Sequence, residues 1–303
     1  MFFVLSSGRS GSNTAADTFN QFTNCVCPHH PEPELVLEAT GYFYGEHPGE
    51  AIARVLRDTR KPIVDGKIYG EANLQLSLIV PVLEEVFPGC QYIWLLRDGR
   101  DFVASTFYRG WYDPASTHLG KWEQARLQGD KTGDFSPALW QNMTPFERCC
   151  WLWTRFNRII EERLTVLGPS RWRKVYLETM KAALPEVATF LKLEAPRGVL
   201  VGKHNIAKQP VVYWESWSPE QRGHFERLCG KTMDAWYPQW RSPEGKWLRI
   251  ASEKPDKPSP MAKLTGKLGR GTRRGVKYVG SRVLSPIAQA AKSLRRRQRP
   301  APD

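Results

Sequence analysis

An α/β fold, with a central parallel sheet flanked by helices, is predicted by three features of the 303-residue sequence. An apolar run at 2–6 ends in Ser7-Gly8 and passes into Ala15, Ala16, Phe19 and Phe22 at helical spacing, which reads as strand, glycine turn, helix. Further strand candidates at 62–65 and 91–96 are separated by 74–87, whose Leu, Ile and Val residues fit a helix packed on a sheet. The alternation continues with a strand at 174–177 and a helix at 184–191. A longer helix is expected over 145–167, where Phe146, Trp151, Trp153, Phe156 and Ile160 recur mostly as a core face. Ser218-Pro219-Glu220 opens a closing helix to about Ala235, with serine as cap and proline in the first turn.

Charge is unevenly distributed. The formal net charge is +13, but from Lys254 onward 14 Lys and Arg face only Asp256 and Asp303, leaving 1–253 nearly neutral. Two regions are therefore expected: a domain over 1–250 and a basic tail over 251–303, whose Lys, Arg, Gly, Ser and Pro cannot build a core. Tail residues such as Lys263, Lys267, Arg270, Arg273 and Arg295 suit an anionic membrane surface, an acidic polymer or plain solvation, and no nucleic-acid partner is expected. Cys25, Cys27, Cys90, Cys149, Cys150 and Cys229 show no metal-ligand spacing and read as buried thiols. Met1 leads almost directly into the first strand, without a leader pattern, and no apolar run approaches bilayer length. The expected location is the cytoplasm, peripheral to a membrane if the tail binds one.

The turn Gly8, Arg9, Ser10, Gly11, Ser12, Asn13, Thr14 lies where a strand gives way to a helix, so free N–H groups and the positive helix end converge there. That arrangement suits a phosphate. The glycines let the backbone curl, Ser12, Asn13 and Thr14 add short donors, and Arg9 adds a forked cation. A nucleotide-triphosphatase loop would place lysine after its last glycine and a hydroxyl on magnesium. Here Ser12 follows Gly11 and the cation has moved to Arg9.

A second strand runs into Arg97-Asp98-Gly99-Arg100-Asp101-Phe102-Val103-Ala104-Ser105. The R-S-G-S loop, followed about ninety residues later by R-D-x-R-D-x-x-x-S, resembles the motif pair of the superfamily of sulfotransferases that use 3′-phosphoadenosine 5′-phosphosulfate (PAPS), of the carbohydrate and bacterial type. The resemblance implies a P-loop-like nucleotide-binding fold and an enzyme that moves a sulfuryl group from PAPS to an acceptor hydroxyl without a metal. Arg97 and Ser105 match the positions that hold the 3′-phosphate; Arg100 and Asp101 read as structural ion pairs. Asp65-Gly66-Lys67 resembles the family's acid-x-K step, which implies Lys67 near the sulfate or acceptor. Weaker similarity extends through Lys174–Glu178, Phe190–Leu193 and Trp214–Trp217, so that 2–240 is covered. Ser12-Asn13 departs from the usual Thr pair, and Lys203, His204 and Lys208 are the only substitutes near Trp214 for a further glycine-rich phosphate contact.

Transfer to a hydroxyl needs a base, and cations over the bridging oxygen as charge grows on the leaving phosphate. Arg9 suits the second task. For the first, Cys27-Pro28-His29-His30-Pro31-Glu32-Pro33-Glu34 resembles the family's H-E-P-x-P segment with His30 in place of the carboxylate, and histidine titrates near neutrality. His30 leads, with Glu34, His29 and Glu32 left open. Trp111, Tyr112, Trp122, Trp140 and Tyr213 offer aromatic faces to sugar rings or to the core. By family analogy the acceptor is a glycan or glycolipid hydroxyl. Two rival classes remain, a P-loop kinase requiring triphosphate with magnesium, and a non-enzymatic polyanion binder acting through the tail.

Overall fold

The computed structural model describes residues 1–115, 120–194 and 214–242; Lys203, His204, Lys208, Tyr213 and the basic segment 251–303 lie outside the described residues. Strands β1 (Phe2–Leu5), β2 (Cys25–Val26), β3 (Ile63–Val64), β4 (Lys67–Ala72), β5 (Gln91–Leu96) and β6 (Trp172–Tyr176) form one sheet. The helices are α1 (Ser12–Phe19), α2 (Val36–Phe43), α3 (Gly49–Thr59), α4 (Val80–Val86), α5 (Gly99–Phe107), α6 (Lys121–Gln124), α7 (Pro137–Asn142), α8 (Pro145–Thr165), α9 (Met180–Leu191) and α10 (Pro219–Trp236).

The sheet order is β2-β4-β1-β5-β6, with every one of these neighbours parallel and β3 antiparallel on β4. This is the α/β architecture the alternation predicts. Side chains of a strand alternate between faces, and here both faces are covered. Phe3 and Leu5 enter one apolar cluster with Trp94, Leu96 and Trp153. Phe2 and Val4 enter another with Phe19, Ile93 and Leu95. Two-sided burial therefore explains why β1 is apolar at every position, and each such large side chain contributes about 1.5–3 kcal/mol. Gly70 on β4 makes room for this packing, since a Cβ there would stand 2.2 Å from the Phe2 ring.

Register aligns the strand ends. Val4 faces Ala72, Leu5 faces Trp94, and Leu96 faces Tyr176. The turns after β1, β4, β5 and β6 thus leave from one edge. After β1 the chain passes to the β2–β4 side, then returns to build β5 and β6 on the other side. The crevice beside the end of β1 is therefore the switch point at which open α/β sheets bind ligands.

Two elements differ from expectation. The strand expected over 62–65 is only the short arm of a hairpin. Asp65 and Gly66 both take left-handed backbone, with φ 52 and 74, and turn the chain tightly into β4 at Lys67. Asp-Gly favours that two-residue turn, which needs positive φ at both positions. The helix expected over 74–87 is divided into a 3₁₀ turn at Leu74–Leu78 and α4, with Pro81 in the first turn of α4. Proline has no N–H and its ring crowds the preceding turn, so a continuous helix is broken there. All six cysteines are buried and unbridged. Among the described residues, no helix is long and apolar enough to cross a membrane.

The 21-residue α8 begins with the Thr144 side chain accepting from Glu147 N–H at 3.3 Å, while the Glu147 carboxylate accepts from Thr144 N–H at 2.9 Å. Thr144→Ala removes the cap and is expected to lower stability by about 1 kcal/mol in urea unfolding, with an unchanged m-value.

Candidate active site

The turn between β1 and α1 is built on left-handed backbone at Gly8 (φ 77), Arg9 (φ 47) and Gly11 (φ 86). Gly11 is required for space as well, because a Cβ would lie 2.4 Å from Leu177 Cδ1. Ser10 Oγ donates to the Gly8 carbonyl at 2.9 Å and lies 3.1 Å from Ser7 Oγ. Ser6 N–H donates to Ser77 Oγ at 3.2 Å, and that hydroxyl donates back to the Ser6 carbonyl at 3.3 Å. Ser12 and Thr14 are buried at the start of α1, and Asn13 is half-buried. The loop is thus fixed with the free N–H groups of a helix start gathered beside it, a concave arrangement suited to an anion.

The second turn meets the first directly. Arg97 Nη1 donates to the Arg9 carbonyl at 2.7 Å, and Arg9 Nε donates to Ser105 Oγ at 3.4 Å. Arg9, Arg97 and Ser105, 96 positions apart at the extremes, therefore belong to one site. Burial pushes the Arg9 pKa down to about 10, and the neighbouring Arg109 and Arg97 add to the shift. Such crowding of like charges favours a bound anion. Asp98 caps α5 by accepting from Arg100 N–H at 2.8 Å and pairs with the Arg100 guanidinium at 2.6 Å. Arg97 and Asp101 are 4.0 Å apart. The turn is braced from behind, as Asp98 N–H donates to Glu178 Oε1 at 2.8 Å and Trp153 Nε1 donates to the Arg97 carbonyl at 2.9 Å.

The histidine segment forms a third wall. His30 N–H donates to the Ala72 carbonyl at 3.3 Å and Ala72 N–H to the Pro28 carbonyl at 3.1 Å, placing His29 and His30 at the carboxyl end of β4. His29 Nε2 lies 3.0 Å from Ser12 Oγ, at the start of α1. The His30 ring packs edge-on against His29 at 4.1 Å and against Trp122 at 4.8 Å. Burial lowers the pKa of both imidazoles, that of His30 to about 4 with His29 as a second cause. Glu34 is ion-paired with Lys121, and the Glu32 side chain is exposed. Among the site candidates, then, the phosphate-loop residues, Arg97, Ser105, His29 and His30 come together.

Lys67 does not join them. It opens β4 in the β3–β4 hairpin, three residues before Gly70, which pairs with the first residue of β1. The phosphate loop leaves the last residue of β1, so Lys67 lies at the opposite edge of the sheet and is exposed. A strand rises about 3.3 Å per residue, too far for its ammonium to reach the loop. The acid-x-K pattern is the hairpin turn itself. Tyr112 and Trp140 are also not open platforms: Tyr112 donates to the Leu127 carbonyl at 2.5 Å and Trp140 to Gln128 at 3.0 Å within the core. Trp111 and Trp122 are half-exposed. Arg109 and Ser77 are contributors that no local motif marks, while Glu178 ends the Lys174–Glu178 segment. Among the described residues, no group of three or more His, Cys, Asp or Glu is arranged to hold a metal ion.

Fold and site together define a parallel α/β sheet with two loops joined at the carboxyl ends of its strands. No protein-family model and no curated protein matches the sequence. Among solved structures, the chain is similar to the sulfotransferase domain from the curacin biosynthetic pathway, at 15% identity and TM-score 0.45 over 77% of this chain and 96% of that one. It is similar to a sulfotransferase from Alicyclobacillus acidocaldarius, at 15% identity and TM-score 0.45 over 78% and 98%. A third is the sulfotransferase domain from the Synechococcus PCC 7002 olefin synthase, at 17% identity and TM-score 0.46 over 77% and 94%. The reading of the site rests on its own geometry.

Burial raises the pKa of Glu178 from 4.5 to about 7, with the charges of Asp98 and Asp101 adding to the effect. A raised folded-state pKa means that the folded protein binds the extra proton. Its contribution to stability is present below about pH 4.5 and is lost as pH rises through about 7. Glu178→Gln is expected to flatten this fall by about 1–3 kcal/mol, measured by urea unfolding across that pH range.

Proposed function

We propose that the protein is a PAPS-dependent sulfotransferase, carrying a sulfuryl group from the phosphosulfate to an acceptor hydroxyl. The observation that supports it most is the direct junction of the two motif loops, with Arg97 bonded to the Arg9 carbonyl and Arg9 bonded to Ser105. A single ligand with phosphates at both ends of one adenosine meets both loops. The nucleotide's 5′-phosphosulfate lies on Gly8 to Thr14, and its 3′-phosphate on Arg97 and Ser105. Arg9 turns from Ser105 toward the bridging oxygen when the donor is bound.

In the reaction the acceptor oxygen attacks sulfur, the bond from sulfur to the bridging oxygen breaks, and its electron pair remains on the 5′-phosphate of 3′,5′-bisphosphoadenosine. Guanidinium and loop N–H groups stabilise that growing charge. The acceptor proton passes to an imidazole. His29 suits this role better than His30, since its Nε2 faces Ser12 at the phosphate loop whereas His30 packs behind it against Trp122. Burial disfavours the imidazolium and keeps the base unprotonated at neutral pH. Glu34 is held by Lys121 and Glu32 faces solvent, so neither competes. The acceptor is a glycan or glycolipid hydroxyl, entering beside Trp111 and Trp122, and the basic tail brings the enzyme to an anionic membrane surface.

Thermal unfolding with ligands tests this reading. Metal-free 3′,5′-bisphosphoadenosine should raise the midpoint by several degrees, and ATP with magnesium should raise it less; the reverse order would point to a kinase. With donor bound, His29→Ala should lower kcat by 10²- to 10⁴-fold, the usual range for a general base, and His30→Ala by less. The acid limb of wild-type activity should fall below the ordinary histidine value near 6.5, the direction set by burial. Full turnover in both variants would remove the histidines from the mechanism.

A further inference from the structure

The segment bearing the two histidines is rich in proline, and Pro28, Pro31 and Pro33 have no N–H to offer a neighbouring strand. Its carbonyls still need donors wherever water is excluded. One side chain supplies most of them. Arg60, at the end of α3 and 1% exposed, donates from Nη2 to the carbonyls of Pro31 at 3.0 Å and Pro33 at 2.9 Å, and from Nη1 to that of Glu32 at 3.0 Å. Its remaining N–H groups reach Thr59 Oγ1 at 2.9 Å and Glu71 Oε2 at 2.9 Å. All five donors of the guanidinium are thereby engaged. The next carbonyl, Glu34, accepts from Asn73 Nδ2 at 3.2 Å. Four consecutive carbonyls are held from the ends of α3 and β4, and the fully buried Glu71 balances the buried charge while also accepting from Tyr69 at 2.9 Å.

We infer that Arg60 is a positioning residue, clamping the 31–34 backbone so that His29 is presented to Ser12 at the phosphate loop. The inference rests on the sulfotransferase reading for its kinetic consequence, but the clamp itself can be observed without turnover. Arg60 touches no reacting atom; it acts through three peptide carbonyls that a lysine, with three donors on one nitrogen, cannot span.

Two variants in the full-length protein test it. Arg60→Lys retains charge and loses the fork; Arg60→Met combined with Glu71→Leu removes the clamp without stranding a buried charge, an exchange that apolar packing often tolerates. The expected result in each folded variant is at least a tenfold fall in kcat, affinity for 3′,5′-bisphosphoadenosine within threefold of wild type, and displaced His29 ring resonances in histidine-labelled protein. A purely structural arginine would lower stability and leave kcat at saturating donor unchanged. Unmoved His29 resonances, an equal loss of kcat and nucleotide affinity, or unfolding of both variants would overturn the positioning role. If the wild type bound no bisphosphate, the sulfotransferase reading would fall, and the histidine resonances would still decide whether Arg60 holds the segment.

Discussion

Burial of the Arg9 guanidinium beside Arg97 and Arg109 is the constraint to which the rest of the site answers. Like charges brought together away from water repel, and the lowered Arg9 pKa records both effects. The fold holds them there with Arg97 on the Arg9 carbonyl and 4.0 Å from the Asp101 carboxylate, and Arg9 on the Ser105 hydroxyl. In the proposed reading, an anion with phosphates at two points would offset this repulsion better than a single phosphate would.

Everything that braces these loops lies on the same edge of the sheet. Leu177 fills the space a side chain at Gly11 would need, Ser77 pins Ser6, Glu178 accepts from Asp98 N–H, and Trp153 Nε1 donates to the Arg97 carbonyl. The braces come from the turn after β4, the turn after β6 and α8, and they converge because the parallel strands end in register. Charge development on a leaving phosphate is stabilised most by donors that do not have to reorganise, so under the proposed function this bracing would serve the loop N–H groups as well as stability. The histidine wall follows the same logic, with its backbone fixed from the end of β4 and α3.

Where the sequence signal was local, it was legible. β5 coincides with its apolar run at Gln91–Leu96, both phosphate turns fall between strand and helix, and α8 and α10 begin at their capping residues. Lys67 stands away from the loops because Val64-Asp65-Gly66-Lys67 is a hairpin turn set by positive φ at Asp65 and Gly66, and its likeness to the acid-x-K step is one of spelling. The two-residue strands β2 and β3 exist only through pairing with β4, so no run of residues announces them. Arg60 and Asn73 stand 27 to 39 positions from the carbonyls they hold, and only folding joins them. Helix α3 is legible in the stripe of Ile52, Ala53 and Leu56. His29 and His30 were visible as a pair, but which of them faces the phosphate loop depends on left-handed backbone at His30 that neighbouring prolines alone do not dictate.

The central claim is that the two turns divide one nucleotide between them, Arg97 taking its 3′-phosphate. Titration calorimetry of wild type and Arg97→Ala with 3′,5′-bisphosphoadenosine and with adenosine 5′-monophosphate, without metal, measures that division directly. Loss of Arg97 should weaken the bisphosphate by about 10-fold or more, the worth of a charged hydrogen-bond pair, and bring it level with the monophosphate, whose own affinity stays unchanged. Equal weakening of both ligands, or of neither, would contradict the account.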